Sequence, residues 1–194
     1  LTGLGPAVVS DEIYHGLVYE GETHSVLEYS EDAFVLNGFS KLYAMTGWRI
    51  GYVIAPEPFM RSMQTLQQNF FISANSFVQW AALTALREAR QEVEAMCAIY
   101  NERRTLLLVG LRKLGFGIEV EPTGAFYVLA NAKEFCTDSR RFAFEILDHA
   151  GVGTTPGIDF GPNAEGYIRF TYANSKENIE EALERIGSFL QRRK

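Results

Sequence analysis

Residues 37–52 read NGFSKLYAMTGWRIGY. The stretch starts on the last residue of one apolar run, AFVLN over 33–37, and leads into another, IGYVIA over 50–55. Between the two lie Lys41 and, eight residues further on, Arg49. A third run of the same style, PAVVSDEI over 6–13, precedes them and ends in acidic residues. Short Val, Ile and Phe runs without alternation are what strands covered on both faces look like, so this part of the chain is expected to be α/β with a mostly parallel sheet. If the first two runs are parallel neighbours, Asp11 at the end of one and Lys41 just past the end of the other project from one edge of that sheet. In open α/β sheets the carboxyl edge is where ligands bind. Tyr14, three residues after Asp11, and Arg49 add a phenol and a guanidinium to the same neighbourhood.

Beyond Pro56 the period becomes helical. PEPFMRSMQTLQQ carries Pro near a helix start and apolar residues at Phe59, Met63 and Leu66. A second helix is expected over 77–89, and a third over about 92–114 with Val93, Met96, Tyr100, Leu107, Leu111 and Leu114 on one stripe, stopped by Gly115 and Gly117. A smaller α+β unit follows: strands IEVEP (118–122) and AFYVLAN (125–131), a helix over 139–149, a short strand near Val152, strand YIRFTYA (167–173) and a final helix. That helix is marked by Ser175 as N-cap, Glu177 in its first turn, and Ile179, Leu183, Ile186 and Leu190 on one face. The expected division is 1–90 and 91–194.

The chain has 194 residues, 47% hydrophobic and 22% charged, enough to bury a core and too mixed to be disordered. Eighteen Lys and Arg against 24 Asp and Glu give a net charge of -6, which argues against a nucleic-acid partner. No apolar run approaches the ~20 residues of a bilayer span, so no membrane role is expected. Cys97 and Cys136 stand far apart with no neighbouring His, and His15, His24 and His149 are not at ligand spacing, so neither a disulfide nor a metal site is expected and a reducing cytoplasm is the default. Cys97 falls on the apolar side of the long helix and reads as core. NFFISANSF (69–77) reads as interior packing in preference to a subunit contact. Gly3-x-Gly5 precedes a strand instead of opening a helix after one, so it is no dinucleotide fingerprint. The start at Leu1, close to an apolar run, suggests a piece of a longer chain.

An amine, a carboxylate, a phenol and a guanidinium at one sheet edge are the set that pyridoxal phosphate chemistry needs: a lysine for the Schiff base, a carboxylate to keep the ring nitrogen protonated, and cationic or hydroxyl groups for the phosphate. SDEIYHGL (10–17), NGFSKLYAMTGWRIGY, PTGAFYVLAN (122–131) and YIRFTYA, in this order, resemble four successive signatures of the class I and II aminotransferases, the fold type I pyridoxal phosphate enzymes. The resemblance spans nearly the whole chain. It implies the later part of the large cofactor-binding domain followed by a complete small C-terminal domain. It also implies that Lys41 carries the Schiff base to pyridoxal 5'-phosphate, Asp11 pairs with the pyridine nitrogen, Tyr14 bonds the ring oxygen, Arg49 binds the phosphate, and Arg169 clamps the substrate α-carboxylate, a bidentate task that suits a planar guanidinium. Displaced by substrate, Lys41 is the natural base for the proton shift. Many relatives have Ser three residues before this lysine, where this chain has Gly38; its backbone N–H is left as a donor, and Ser40 is the substitute phosphate contact.

The resemblance implies a homodimer that moves an α-amino group between an amino acid and a 2-oxo acid. The alternatives are a pyridoxal-phosphate carbon–sulfur lyase, a non-catalytic sensor module of the same fold, or a fragment competent only to dimerise. The Tyr of DEIY favours the aminotransferase branch, because lyase-like relatives often carry His there.

Overall fold

The computed structural model describes residues 6–193, so Gly3 and Gly5 lie outside the described residues. The chain divides between Cys97 and Ala98 into two compact units.

The first unit is built on a three-stranded sheet of β1 (Val8–Asp11), β2 (Ala33–Gly38) and β3 (Gly51–Ile54), in that order. β1 and β2 run parallel, with Asp11 opposite Leu36, so the carboxyl ends of both strands leave the same edge as expected. β3 is antiparallel to β2, with Gly38 opposite Gly51, and this departs from the parallel expectation. The reason is the connection. A parallel return needs a crossover, usually a helix, whereas residues 39–50 form only turns and a 3-10 turn at Thr46–Trp48. In β2, Ala33 and Val35 are buried, while every residue of β3 is exposed. Within the described residues, therefore, neither face of β3 is buried.

α1 (Glu57–Phe70) and α2 (Ser76–Glu88) follow. Asn75 caps α2, its Oδ1 accepting from the Phe77 N–H at 3.3 Å. Between the helices, Phe70, Phe71 and Ile72 are 73%, 70% and 83% exposed within this chain, so its described residues do not supply the interior packing expected for them. α3 (Arg90–Leu114) carries the chain into the second unit, where Leu107, Leu108 and Leu111 are buried. It ends in a Schellman turn: the Phe116 N–H reaches the Leu111 carbonyl and the Gly115 N–H that of Arg112, with Gly115 at φ +96°.

The second unit is an antiparallel sheet ordered β4 (Tyr127–Asn131), β6 (Tyr167–Thr171), β5 (Thr155–Pro156), packed with α4 (Ser139–Ala150) and α5 (Lys176–Arg193). Val128, Ala130, Ile168 and Phe170 point inward with Phe142, Ile146 and Ile186, while Tyr127, Leu129 and Arg169 alternate onto the other face. IEVEP is not a strand. One bridge, Gly117 to Asn131, opens the segment, and its carboxylates turn to side chains: Glu119 accepts from Asn131 Nδ2 at 2.7 Å and from the Tyr167 hydroxyl at 2.8 Å, and Glu121 pairs with Arg112. Ser175 caps α5 as expected, accepting from the Asn178 N–H at 3.2 Å. Cys97 and Cys136 are free, and burial pushes both thiols above their ordinary pKa.

Candidate active site

The carboxyl end of β1 is fixed by Glu12, a residue that the sequence reading passed over. Its side chain, 10% exposed, receives the Val26 N–H at 2.9 Å and the hydroxyls of Ser10 and Ser25 at 3.1 Å each. Burial works to raise the Glu12 pKa, but these donors and nearby His15 together hold it below the ordinary carboxylate value. Asp11, the preceding residue, is exposed at the end of the strand, with Oδ1 accepting from the Ile13 N–H at 3.2 Å. One of the two adjacent carboxylates is thus a structural anchor and the other is left exposed at the end of the strand.

Tyr14 lies in the turn that follows, which is pinned by fully buried Leu17, whose N–H bonds the Tyr14 carbonyl at 2.9 Å. Across from it, Lys41 sits half-buried in the turn after β2. Lys41 Nζ is 5.8 Å from the centroid of the Tyr14 ring. The Lys41 turn is anchored from below by a small buried cluster of Phe39, Met45 and Ala82 of α2, against which Tyr43 and Ile50 pack. It is closed from above by the Thr46 hydroxyl donating to the Ser40 carbonyl at 2.9 Å. The Ser40 contact within the chain is thus made through its backbone.

Arg49 ends the 3-10 turn at φ +53°, a conformation that costs a non-glycine residue about 1–3 kcal/mol and persists only where the surroundings impose it. Its Nη1 donates to the Thr46 carbonyl at 3.0 Å, and the residue is otherwise exposed. Gly38 has a steric explanation: an added Cβ would stand 3.1 Å from Gly51 Cα and 3.2 Å from the Ile50 carbonyl oxygen. A serine there is disfavoured by the close approach of β3. The Gly38 N–H, left as a donor in the sequence reading, is already taken by Asn37 Oδ1 at 2.7 Å.

Arg169 lies in the second unit, at the middle of β6, with Leu129 and Thr155 as its cross-strand partners. Its guanidinium carbon is 4.3 Å from the centroid of the Tyr127 ring and 4.6 Å from that of Phe160, and Nη2 donates to Thr155 Oγ1 at 3.3 Å. Tyr127, Phe160 and Thr155 were not picked out from sequence. For Tyr127 the signal was there: period-two counting along AFYVLAN puts it on the same face as Leu129, opposite Arg169.

The donor set of the first unit, an exposed carboxylate, a phenol, an amine facing its ring and a guanidinium, fits pyridoxal phosphate. Among the described residues no cluster of His, Cys, Asp and Glu is arranged to hold a metal.

A doubly built chain of this kind, a lysine turn at the edge of one α/β unit and an arginine on the open face of a small antiparallel sheet, has known counterparts. Residues 5–186 match the family model of aminotransferase class I and II, and the chain belongs to that family. It is 47% identical over 191 residues to the (5-formylfuran-3-yl)methyl phosphate transaminase of Methanocaldococcus jannaschii, covering 96% of this chain and 50% of that relative. It is 43% identical to the valine–pyruvate aminotransferase of Mycobacterium tuberculosis, over 94% of this chain and 48% of the relative. A crystal structure from Methanococcus jannaschii, described as similar in its active site to kynurenine aminotransferases, superposes with a TM-score of 0.89 at 46% identity, over 95% of this chain and 50% of that one. The chain spans about half the length of these relatives. Its fold agrees with the C-terminal part of a pyridoxal phosphate transferase, as the sequence led one to expect.

Proposed function

We propose that the whole protein is a pyridoxal-phosphate-dependent aminotransferase that moves an α-amino group between an amino acid and a 2-oxo acid. The observation that carries this reading is Lys41 Nζ held over the Tyr14 ring, in a turn leaving the same sheet edge as exposed Asp11. When bound, the cofactor supplies an aldehyde and an electron-withdrawing ring. Lys41 Nζ would hold it covalently and would carry the proton away from the substrate Cα. Asp11 keeps the ring nitrogen protonated, and its exposure leaves the carboxylate available for that pairing. The Tyr14 hydroxyl would donate to the ring oxygen, and Arg49, with Ser40 beside Lys41, would hold the phosphate. Arg169 receives the substrate carboxylate.

The two compact units support a division into the later part of a large domain and a small C-terminal domain. Exposed Phe70, Phe71 and Ile72 support a subunit contact and hence a homodimer. No described helix is long and apolar enough to cross a membrane, and the free cysteines accord with a reducing, cytoplasmic setting. The full-length chain, loaded with pyridoxal phosphate and offered a panel of amino acids with a 2-oxo acid acceptor, is expected to transfer nitrogen, and Lys41→Ala to lower kcat by about 10²–10⁴-fold or more. Release of ammonia and pyruvate from a β-substituted amino acid, with no transfer to the acceptor, contradicts the proposal in favour of a lyase.

A further inference from the structure

Arginines on an open sheet face are usually paired with carboxylates. Arg169 is not: among the described residues it has no carboxylate partner, and its one hydrogen bond is to the Thr155 hydroxyl. What holds it is aromatic. Tyr127 belongs to β4 and packs diagonally across the strand pair, since its direct register partner is Thr171 and that of Arg169 is Leu129. Phe160 comes from the 3-10 turn Gly157–Phe160 that follows β5. That turn is pinned to β6 by backbone contact. Gly157 is buried, and an added Cβ there would overlap the Ala164 carbonyl oxygen and stand 2.7 Å from that of Tyr167.

The geometry has a chemical consequence. A guanidinium is a flat fork with five N–H donors around its rim, and its carbon lies over two aromatic rings, 4.3 Å from the Tyr127 centroid and 4.6 Å from that of Phe160. Contact with two rings confines the fork, and its one hydrogen bond, to Thr155, leaves donors unspent. A lone arginine must give up rotamer freedom when it grips a carboxylate, whereas one already confined between rings has lost part of that freedom beforehand. Lysine would keep the cation–π attraction of such a seat, but an ammonium has no plane for the rings to orient.

We propose that Phe160, seconded by Tyr127 and Thr155, is a positioning residue for Arg169: it sets the plane of the guanidinium so that its open rim meets the substrate α-carboxylate as a bidentate pair. The inference rests on the reading of Arg169 as the carboxylate clamp. It assigns Phe160 a role common to all substrates, because every amino acid and 2-oxo acid presents the same carboxylate.

The test uses the full-length holoenzyme with two amino acids of unlike side chain and their 2-oxo acids. Phe160→Leu keeps apolar bulk and removes the ring face. It is expected to raise KM about tenfold for both pairs alike, with kcat and the thermal midpoint nearly unchanged, and Phe160→Tyr is expected to restore KM. Arg169→Lys is expected to raise KM at least as far. If Arg169→Lys raises KM and Phe160→Leu does not, the positioning role is overturned while the clamp stands. It is equally overturned if the Phe160→Leu effect is confined to one side chain, which makes Phe160 a side-chain contact, or if kcat and thermal midpoint fall with KM unchanged, which makes it structural. If Arg169→Lys leaves KM unchanged, the clamp reading fails and the role of Phe160 fails with it.

Discussion

Replacing Gly157 by alanine introduces a methyl group where the structure has only backbone. The new Cβ would overlap the Ala164 carbonyl oxygen and lie 2.7 Å from the Tyr167 carbonyl oxygen, and neither atom can swing away as a side chain does. The φ of Gly157 is not positive, so the backbone conformation itself suits alanine and the cost is steric alone. To reach van der Waals distance, the 3-10 turn Gly157–Phe160 must part from the following turn and from the start of β6. Overpacking of this kind costs about 1–3 kcal/mol, and contact with backbone on two sides puts Gly157→Ala at the upper end. About 3 kcal/mol is a factor of about 10² in the opening equilibrium of β6. Both tryptophans, Trp48 and Trp80, lie in the first unit and do not report on this change, so the assay is hydrogen–deuterium exchange of peptides covering β6 in the full-length chain. Gly153→Ala is the control: its Cβ meets nothing within 4 Å, and protection should change by less than about 0.5 kcal/mol. Equal β6 protection in wild type and Gly157→Ala would refute the steric reasoning.

Glu12 makes the first unit acid-sensitive. With its pKa held below the ordinary 4.5 in the folded state, its bonds contribute stability that is full above that pH and lost as pH falls through the lowered value. Glu12→Gln should therefore cost about 1–2 kcal/mol at pH 7 by urea denaturation followed on tryptophan fluorescence, and the gap to wild type should close towards pH 3; a constant gap rejects this account. In the second unit Arg104, 6% exposed, donates from Nη1 to the Pro122 carbonyl at 2.6 Å and from Nε to Asn101 Oδ1 at 3.0 Å. Arg104→Met keeps the bulk and strands these acceptors, so exchange of β4 amides should accelerate as expected for a loss of about 1–3 kcal/mol, and unchanged exchange would show that water replaces the guanidinium.

The features legible in sequence were those that depend on neighbours along the chain. Helix periodicity, the glycine stop at Gly115, the Ser175 cap and the parallel edge shared by Asp11 and Lys41 all follow from local chemistry and a short-range pattern. What failed depended on partners distant in sequence. The IGYVIA run reads as a strand covered on both faces because hydrophobicity reports what a residue prefers, not what covers it, and β3 is exposed throughout. The Phe-rich stretch after α1 is likewise exposed within this chain. IEVEP has the alternation of a strand, yet Glu119 and Glu121 find Asn131, Tyr167 and Arg112 instead of a ladder. In the site, the reactive residue types are rare enough in combination to be noticed, whereas Glu12 looks no different in sequence from exposed Asp11. Only the fold shows that it is bonded to Ser25 and Val26, and only the fold seats Phe160 against Arg169.

Whether Lys41 is the residue that binds the cofactor is tested on the protein directly. The full-length chain is incubated with pyridoxal phosphate, reduced with borohydride and digested, and the modified peptide is located by mass spectrometry. A single adduct on Lys41, absent from Lys41→Ala, is expected. An adduct on another lysine, labelling scattered over surface lysines, or no adduct at all in the full-length chain would contradict a cofactor-binding role for Lys41.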